Sequence, residues 1–397
     1  MTSLERHEAR YQRRKAERER RNRERAEKYT KWDDIFGLMP LIGGYKNVSK
    51  SSKDKTSTQT WMSNLVINAR KEQVKLANGT WQSPGFNCFS IKERGKWRDI
   101  QSAHISEKGI QNSFANNCFI PIIKPHLIYD NGASLKGKGT DFSIERFVLH
   151  LREHIAKYGR EGGIFFFDFS SYFANILHNP LLSDAGRLLR LQRIIEMYEM
   201  ISCAFGEIGL GLGSQVSQIS AIFYPNRIDH YMKDQLGIKG YGRHMDDGYI
   251  ICNSIDRLKQ FAALFAEKCK ERGIVMNPKK CRIIKLTKQF IFLKTRFFIT
   301  KTGKIVRRIC RETARKERHR LRKFRNFCTM GLMTYQEAFL NFHSWVMSQT
   351  RGKAFHLWFN AIRYFNELFA KLGGRYFPPK LNKRRYRVVA YIAKLAY

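Results

Sequence analysis

Three aspartates follow or interrupt apolar segments in ways that would suit metal chemistry. Asp168 ends the run Ile164–Phe167, and Asp246 and Asp247, followed by Gly248, lie between two apolar segments that predict a hairpin. A buried carboxylate without a partner is costly and adjacent anions repel, so both groups favour a divalent cation. Taken singly, each segment also suits an ordinary strand end or an Asp-Asp-Gly turn.

A glycine-rich segment is the third feature that could contact a ligand. Gly209, Gly211 and Gly213 precede a helical pattern that is predicted to end at Asp229. Glycine backbone at the start of a helix allows close approach of a nucleotide or a base pair. The segment lacks the GxGxxG spacing of a dinucleotide fold, and a flexible loop is the alternative interpretation.

The elements that must position these residues can be read from local patterns. Residues 94–100 predict a hairpin edge that runs into a strand, followed by a helix through Phe114. Residues 131–139 predict a Gly/Lys loop that opens a helix, and residues 164–300 alternate strands and helices. Further on, residues 307–325 predict a basic helix, residues 334–337 form a capping box, and Phe355, Trp358, Ile362, Phe365 and Phe369 recur at the spacing of a helix core.

Charge narrows the class of partner. The 397 residues contain 73 Lys and Arg against 34 Asp and Glu, a net charge of +39, with 43% hydrophobic residues. The hydrophobic content excludes a wholly disordered chain. The positive charge favours a polyanionic partner, either nucleic acid or an anionic membrane. No apolar run approaches the ~18 residues of a membrane span. The absence of a secretion signal and of CxxC pairs among the eight cysteines predicts reduced thiols in a cytosolic protein.

The three segments, in this order, resemble the palm of reverse transcriptases over about residues 90–300. Asp168, five residues before Phe173, resembles the first catalytic motif of the family. Met245-Asp246-Asp247 resembles its Tyr-x-Asp-Asp box, and residues 213–218 resemble its Gly-x-x-x-Ser-Pro loop.

The resemblance extends on both sides and implies roles for further residues. Residues 273–280 resemble the motif after the hairpin, Lys96 and Arg98 fall where the fingers of the family hold the triphosphate, and Phe173 implies selection of deoxynucleotides. The implied nucleotide-binding residues are Lys96, Arg98, Phe173, Gly213, Gln218 and Lys280. The implied primer grip is Phe292, Leu293 and Lys294, and the implied RNA-binding residues are Arg307, Arg308, Arg311, Arg315, Arg318 and Arg322.

The two-metal mechanism of the family implies that the three carboxylates are metal ligands. Two Mg²⁺ ions, with Mn²⁺ as an alternative, would be held by Asp168, Asp246, Asp247 and the backbone carbonyl of Phe169, ~3.5–4 Å apart. In the family the last aspartate of the pair is often the weaker ligand, and no protein nucleophile is required.

The resemblance also implies the fold, an α+β right-hand polymerase with fingers, an antiparallel-sheet palm and a helical thumb. We expect a basic charged arm at residues 1–30, fingers at 31–155, the palm at 156–300 and a basic helical thumb that binds RNA at 301–397. The arm has no apolar stripe to dock it, and it either is solvated or lies on RNA phosphates. The last region has four Glu and no Asp, which argues against an RNase H site.

These features predict a stand-alone prokaryotic, cytoplasmic RNA-directed DNA polymerase that uses dNTPs to copy a non-coding RNA into cDNA, without a membrane partner. The pair Ser217-Gln218, in place of Ser-Pro, resembles reverse transcriptases of diversity-generating retroelements, and antiphage defence is the other setting. An accessory protein would fit the first setting. The alternatives are template-independent or protein-primed DNA synthesis, with Tyr391 or Tyr397 as the priming hydroxyl, and a non-catalytic RNA-binding scaffold.

Overall fold

The computed structural model describes residues 2–93, 96–349 and 355–372. In it the chain folds into two compact units. The first unit contains residues 1–150 and 164–283, and the second contains residues 151–163 and 284–397. The predicted boundaries of arm, fingers, palm and thumb remain predictions. Tyr391 and Tyr397 lie outside the described residues.

Helices dominate the chain before the strand that ends at Asp168. They are α1 (Ser3–Tyr29), α2 (Trp32–Phe36), α3 (Leu38–Ser49), α4 (Thr56–Ser63), α5 (Leu65–Ala77), α6 (Ile105–Phe114), α7 (Ile120–Ile123) and α8 (Thr140–Tyr158). The predicted helix through Phe114 and the helix that opens after the Gly/Lys loop are both present as α6 and α8.

The charged N-terminal segment forms a single long helix, α1, with ion pairs one turn apart such as Glu17–Arg21 at 2.7 Å. The expectation that nothing docks this arm is wrong at its C-terminal end. Ala26 and Thr30 are buried there, and α1 packs against α7 and α9 (His178–Leu189). A small side chain such as that of Ala26 lets the helix approach its neighbours without a continuous apolar stripe.

The predicted hairpin before α6 consists of β1 (Phe86–Glu93) and β2 (Lys96–Ala103). The strands are antiparallel, with Phe89 opposite Ile100, and residues 94 and 95 lie outside the described part of the chain.

The sheet that carries the acidic motifs has the strand order β4-β5-β3-β6. Its strands are β3 (Gly163–Asp168), β4 (Tyr241–His244), β5 (Asp247–Cys252) and β6 (Arg282–Lys285). Every residue of β3 is buried, because the strand is covered on both faces. On one face Phe167 lies 4.2 Å from Phe265, and on the other Phe166 lies 6.0 Å from Phe147, measured between ring centroids. This packing holds the end of β3, and with it Asp168, in place.

The helices between β3 and β6 include one break that the sequence pattern did not predict. They are α9, α10 (Gln192–Cys203), α11 (Gln215–Phe223), α12 (Asn226–His230) and α13 (Ile255–Glu271). The helical pattern expected to run to Asp229 stops at Phe223 and resumes at Asn226, because Pro225 has no backbone N–H to continue the helix.

In the described residues from 284 onward, the second unit has a three-stranded antiparallel sheet followed by three α-helices. They are β7 (Phe290–Phe292), β8 (Thr295–Ile299), β9 (Ile305–Ile309), α14 (Arg311–Thr329), α15 (Tyr335–Gln349) and α16 (Phe355–Phe369). The prediction of one basic helix over 307–325 is wrong at its start. Arg307 and Arg308 lie on β9, where β-branched residues such as Ile305 and Ile309 pair with β8, and the helix begins at Arg311.

Two other expectations for this unit are met. Thr334 and Glu337 form the capping box, with the Glu337 N–H donating to Thr334 Oγ1 at 3.2 Å. Ile362, Phe365 and Phe369 are buried in the helical core, as their spacing predicted. The side chains of Phe355 and Trp358 lie outside the described part of the structure.

Among the described helices, none combines the length and apolar character needed to cross a membrane.

Candidate active site

Backbone hydrogen bonds bring Asp168 and the hairpin tip together. The N–H of Phe169 donates to the carbonyl of Asp246 at 3.2 Å, and the N–H of Asn277 donates to the carbonyl of Asp168 at 2.8 Å. The end of β3, the turn of the hairpin and the segment after α13 therefore form one connected framework within the first unit. The convergence of the aspartates was predicted from the sequence, but the hydrogen bond from Asn277 was not.

The acidic hairpin has the predicted strand–turn–strand form. Met245 and Asp246 form the turn between β4 and β5, and Asp247 is the first residue of β5. Met245 adopts a left-handed conformation with φ of +59°, which is costly for a residue with a side chain. Gly248 packs so closely that a Cβ there would lie 2.1 Å from the ring of Phe167. The hairpin is thus held tightly against β3.

A buried ion pair supports this turn from below. The guanidinium of Arg243 donates to both carboxylate oxygens of Asp229, the shortest bond being 2.6 Å, and both side chains are fully buried. The same guanidinium donates to the carbonyl of Met245 at 2.8 Å and to that of Ile222 at 2.8 Å, and the hydroxyl of Tyr241 donates to Asp229 at 2.6 Å. Arg243 therefore positions the turn that carries Asp246.

Neither Arg243 nor Asp229 was predicted from the sequence to support the site. One signal was available, since an arginine three residues before Asp246 stands in a segment predicted to be a buried strand, where an unpaired charge is not tolerated. Its partner could not be found in the same way, because Asp229 belongs to a different element.

The three carboxyl groups form a strongly anionic group. Asp168 is buried, and Asp246 and Asp247 are half-buried. Burial, the negative charges of Asp246 and Asp168, and a hydrogen bond with Asp168 raise the pKa of Asp247 to about 7. Burial and the charge of Asp168 also raise the pKa of Asp246. The carboxyl groups are therefore close enough to repel one another strongly.

Two side chains from the segment after α13 contact the buried member of this group. The ammonium of Lys280 donates to Oδ2 of Asp168 at 2.5 Å, and the amide of Asn277 donates to Oδ1 at 3.1 Å. Partial burial would lower the pKa of Lys280, but the hydrogen bond to Asp168 and the charges of Asp247 and Asp246 outweigh it and raise that pKa. Lys280 thus supplies part of the positive charge that the carboxylates attract.

The chemistry of the donor set fits hard divalent cations. Carboxylate oxygens are preferred ligands of Mg²⁺ and Mn²⁺, and a cation would relieve the repulsion that raises the pKa values of Asp246 and Asp247. As the side chains are arranged in the described part of the chain, no group of three or more His, Cys, Asp and Glu residues is positioned to hold a metal ion. A cation that contacts Asp168 would share its carboxylate with Lys280 and Asn277 or replace one of them.

The glycine-rich segment is tied to the chain that follows Asp168. The carbonyl of Phe173, a half-buried residue, accepts a hydrogen bond from the N–H of Leu210 at 2.8 Å. Gly213 is exposed with φ of +109°, a conformation that favours glycine. Gln218, expected within a loop, lies exposed in the first turn of α11, whose N-cap is Ser214. The structure therefore brings Phe173 close to the segment that contains Gly213.

The remaining predicted residues lie on β2, on β7 and the turn that follows it, and on β9 and α14. Lys96 and Arg98 lie on β2, and their side chains are outside the described part of the structure. Phe292 ends β7, and Leu293 and Lys294 form the turn to β8 with φ of +43° and +61°. The α14 residues Arg315, Arg318 and Arg322 are exposed in the second unit, where Arg311 begins the helix and its side chain is not described.

A buried strand that ends in one aspartate, next to a hairpin that carries two more, is the arrangement expected for a nucleotidyltransferase palm. Residues 91–297, just over half of the chain, match the reverse transcriptase (RNA-dependent DNA polymerase) family. The chain belongs to this family. The match confirms the α+β right-hand polymerase fold class.

Solved structures similar to this chain include telomerases from two Candida species. Telomerase from Candida albicans in complex with a fragment of telomeric RNA is 12% identical, with a TM-score of 0.46 and coverage of 74% of this chain and 55% of that structure. Apo telomerase from Candida tropicalis is 12% identical, with a TM-score of 0.47 and coverage of 83% and 66%. A C-terminally truncated form is 14% identical, with a TM-score of 0.42 and coverage of 55% and 54%.

The chain thus spans between about half and two thirds of the length of these structures. Among curated proteins, none matches it significantly.

Proposed function

We propose that this protein is an RNA-directed DNA polymerase that makes cDNA from dNTPs on an RNA template, with Asp168, Asp246 and Asp247 at its catalytic centre. The observation that carries the proposal is the convergence of carboxylates from two distant segments on one site, with the pKa values of Asp246 and Asp247 raised by burial and mutual repulsion. Such groups are an unfavourable arrangement unless a ligand uses their charge.

The three carboxylates, with the carbonyl of Phe169, would hold two divalent cations, Mg²⁺ or Mn²⁺. When bound, such cations lower the pKa of the primer 3′-hydroxyl and neutralise charge on the leaving pyrophosphate. Arg243 keeps the turn of Asp246 fixed during this chemistry through its bond to the Met245 carbonyl. Positioning and charge then supply most of the catalysis, and no side chain acts as a nucleophile.

The residues around the carboxylates would select and hold the nucleotide. Phe173 lies beside the glycine-rich segment, where its ring would exclude a 2′-hydroxyl, and exposed Gly213 leaves room for the base or sugar. Lys280 would neutralise phosphate charge next to Asp168, with Lys96 and Arg98 on β2 as the other triphosphate contacts. Lysine and arginine are the side chains that suit this task.

Polymerisation by a matched set of variants tests the central assignment. Protein purified with its RNA and supplied with dNTPs and Mg²⁺ is expected to extend a primer, and Asp246→Ala is expected to abolish extension. The control is Asp256→Ala, which removes an aspartate that is 87% exposed on α13, and it should extend normally. Equal synthesis by Asp246→Ala and the parent protein would remove the catalytic assignment.

A second variant tests the nucleotide pocket. Phe173→Ala is expected to incorporate ribonucleotides that the parent protein rejects, measured as the ratio of kcat/KM for a dNTP and the matching NTP. An unchanged ratio in a variant that still polymerises would contradict the proposed gate.

The biological setting we propose is a stand-alone prokaryotic enzyme in the cytoplasm that copies a dedicated non-coding RNA, in a diversity-generating retroelement or in antiphage defence. The large positive charge supports an RNA partner, and exposed Arg315, Arg318 and Arg322 on α14 are the proposed contacts together with Arg307, Arg308 and Arg311. Phe292, Leu293 and Lys294 are the proposed primer grip.

Sequencing the RNA and DNA that co-purify with the protein would name template and product together. A cDNA complementary to one abundant co-purified RNA is the expected result. DNA without a matching RNA, or DNA that stays with the protein through phenol extraction, would instead favour template-independent or protein-primed synthesis.

A further inference from the structure

An exposed aromatic ring surrounded by cations lies beside strand β4 in the first unit. We call Tyr129, Phe142, Lys138 and Arg146 the Tyr129 patch. The rings of Tyr129 and Phe142 meet edge to face with centroids 5.5 Å apart. The ammonium of Lys138 lies 5.2 Å and 5.0 Å from these two centroids, and the guanidinium of Arg146 lies 5.0 Å from that of Tyr129. Tyr129 nevertheless remains 65% exposed, so part of its ring is open to a ligand.

The Tyr129 patch is fixed in place rather than carried on a loose loop. Lys138 donates to the carbonyls of Tyr129 and Asn131 at 2.7 Å and 2.8 Å. The N–H of Gly132 donates to the carbonyl of Arg243 at 2.9 Å, which joins the loop to the edge of β4. Arg243 is three residues from Asp246, so the patch is attached to the same strand that leads into the acidic turn.

The loop cannot move away from α8 without disturbing close packing. A Cβ at Gly132 would lie 1.8 Å from the hydroxyl of Ser143, whose Oγ is in turn hydrogen-bonded to Nδ1 of His244 at 2.8 Å. The patch is therefore preorganised, which lowers the entropic cost of binding.

The charge around the ring is positive. Asp130, the buried acid beneath the patch, is already paired with Arg146 and Lys233. Segment 124–146, which contains the patch, carries Lys124, Lys136, Lys138 and Arg146 against Asp130, Asp141 and Glu145, and Lys233 adds a further cation through its pair with Asp130. An exposed aromatic ring in positive surroundings suits a ligand that combines an aromatic ring with negative charge better than it suits an apolar peptide.

We propose that the Tyr129 patch is a stacking site for a base of single-stranded nucleic acid, with the exposed ammonium groups of Lys124 and Lys136 contacting the phosphates beside that base. Proteins that bind single strands without sequence preference combine aromatic platforms with basic side chains in this way. A base inside a duplex is already stacked on both faces, so the site selects unpaired strands. The proposal rests on the proposed function in one respect, namely that the strand bound is the RNA template close to the carboxylates.

Binding of a fluorescein-labelled oligo(U) RNA of twelve nucleotides, followed by anisotropy at fixed salt, tests the site. Tyr129→Ala is expected to raise the Kd about 5- to 150-fold, and Tyr129→Phe should stay within twofold of the parent protein because it keeps the ring. Met39→Ala, which truncates another highly exposed side chain on α3, is the surface control and should bind normally. Thermal melting of each variant verifies that the fold is intact.

Two results would overturn the proposal. One is a folded Tyr129→Ala protein whose affinity for oligo(U) is unchanged. The other is an equal loss of affinity for blunt duplex RNA of the same length, which would indicate a phosphate contact without stacking.

Asp246→Ala separates this proposal from the proposed function. This variant should bind oligo(U) normally while it fails to polymerise. If Asp246→Ala still polymerises and Tyr129→Ala still loses RNA binding, the stacking site stands and the catalytic assignment fails. If Asp246→Ala is inactive and Tyr129→Ala binds RNA normally, the stacking site fails alone.

Discussion

Two groups of buried acids close to β4 differ in how their charge is compensated. Asp130 is buried, and burial alone would raise its pKa, but hydrogen bonds from Arg146 and Lys233 outweigh burial and hold that pKa below its usual range. At the hairpin, burial and like charges raise the pKa of Asp247 to about 7. The first group is compensated by its own cations, whereas the second, even with Lys280 bound to Asp168, retains repulsion among its carboxyl groups that a ligand would relieve.

The pair of Asp229 and Arg243 belongs with the compensated group. Both side chains are fully buried, and their hydrogen bonds are satisfied within the protein. Compensated acids therefore lie behind the hairpin and support it, and the uncompensated acids lie at its tip. Buried carboxylates that hold the fold together are therefore paired with cations inside the protein, and those available for chemistry retain mutual repulsion.

The largest expected effect comes from exchanging a carboxylate for an amide in each group. Asp168→Asn should lower the polymerisation rate by more than about a hundredfold, while the free energy of unfolding changes by about 1 kcal/mol or less, because its cationic partner Lys280 is about half exposed to water and the change also removes repulsion with Asp247. Asp130→Asn should do the reverse and mainly destabilise the protein, since it leaves two cations without their partner. Single-turnover kinetics and urea denaturation of both variants measure the two effects. Normal activity of Asp168→Asn would contradict the distinction between acids that act in catalysis and acids that stabilise the fold.

Breaking the buried pair behind the hairpin should cost the most stability. Arg243→Met leaves the carboxylate of Asp229 buried and unpaired, with an expected loss of about 3–5 kcal/mol in the free energy of unfolding. The double variant Arg243→Met/Asp229→Leu should recover much of that loss. Arg21→Met, which breaks an exposed pair with Glu17, is the control and should change stability by about 1 kcal/mol or less. Equal losses for the buried and the exposed pair would contradict the proposed support.

These pairs also show what the sequence could and could not predict. Asp168 was identifiable because it ends an apolar run, and the hairpin because two acids and a glycine separate two apolar segments. Both signals are local. The pairing of Asp130 with Lys233 joins residues 103 positions apart, so only the folded chain reveals it. The basic run from Arg307 was misassigned for a different reason, since pairing with the neighbouring strand β8 outweighs the preference of its charged residues for helix.

A smaller effect should appear when pH is lowered. His150, buried against Asp130, Arg146, Lys233 and Tyr249, has its pKa lowered from 6.5 to about 4, mainly by burial. Because the unfolded chain then binds the proton more readily, this histidine favours unfolding as pH falls from 6.5 towards 4. The expected contribution is about 2 kcal/mol between pH 7 and pH 5.

The matched variant for this prediction is His150→Gln, which keeps hydrogen-bonding capacity without a titrating group. Its free energy of unfolding, from urea denaturation at pH 7 and pH 5, should fall less than that of the parent protein. Identical pH dependence in both proteins would show that His150 is not the group responsible.

The smallest expected effect concerns the backbone of the acidic turn itself. Met245 has φ of +59°, and a left-handed conformation costs a residue with a side chain about 1–2 kcal/mol. Met245→Gly removes this strain but adds about 0.5–1 kcal/mol of entropy loss on folding, so the net gain in stability should be about 1 kcal/mol or less. Gly248→Ala is the opposite change on the same hairpin, and it should destabilise because its Cβ would meet the ring of Phe167. A clearly destabilising Met245→Gly would contradict this prediction. It would show that contacts of the Met245 side chain, and not the bond from Arg243 to the Met245 carbonyl, hold the turn in place.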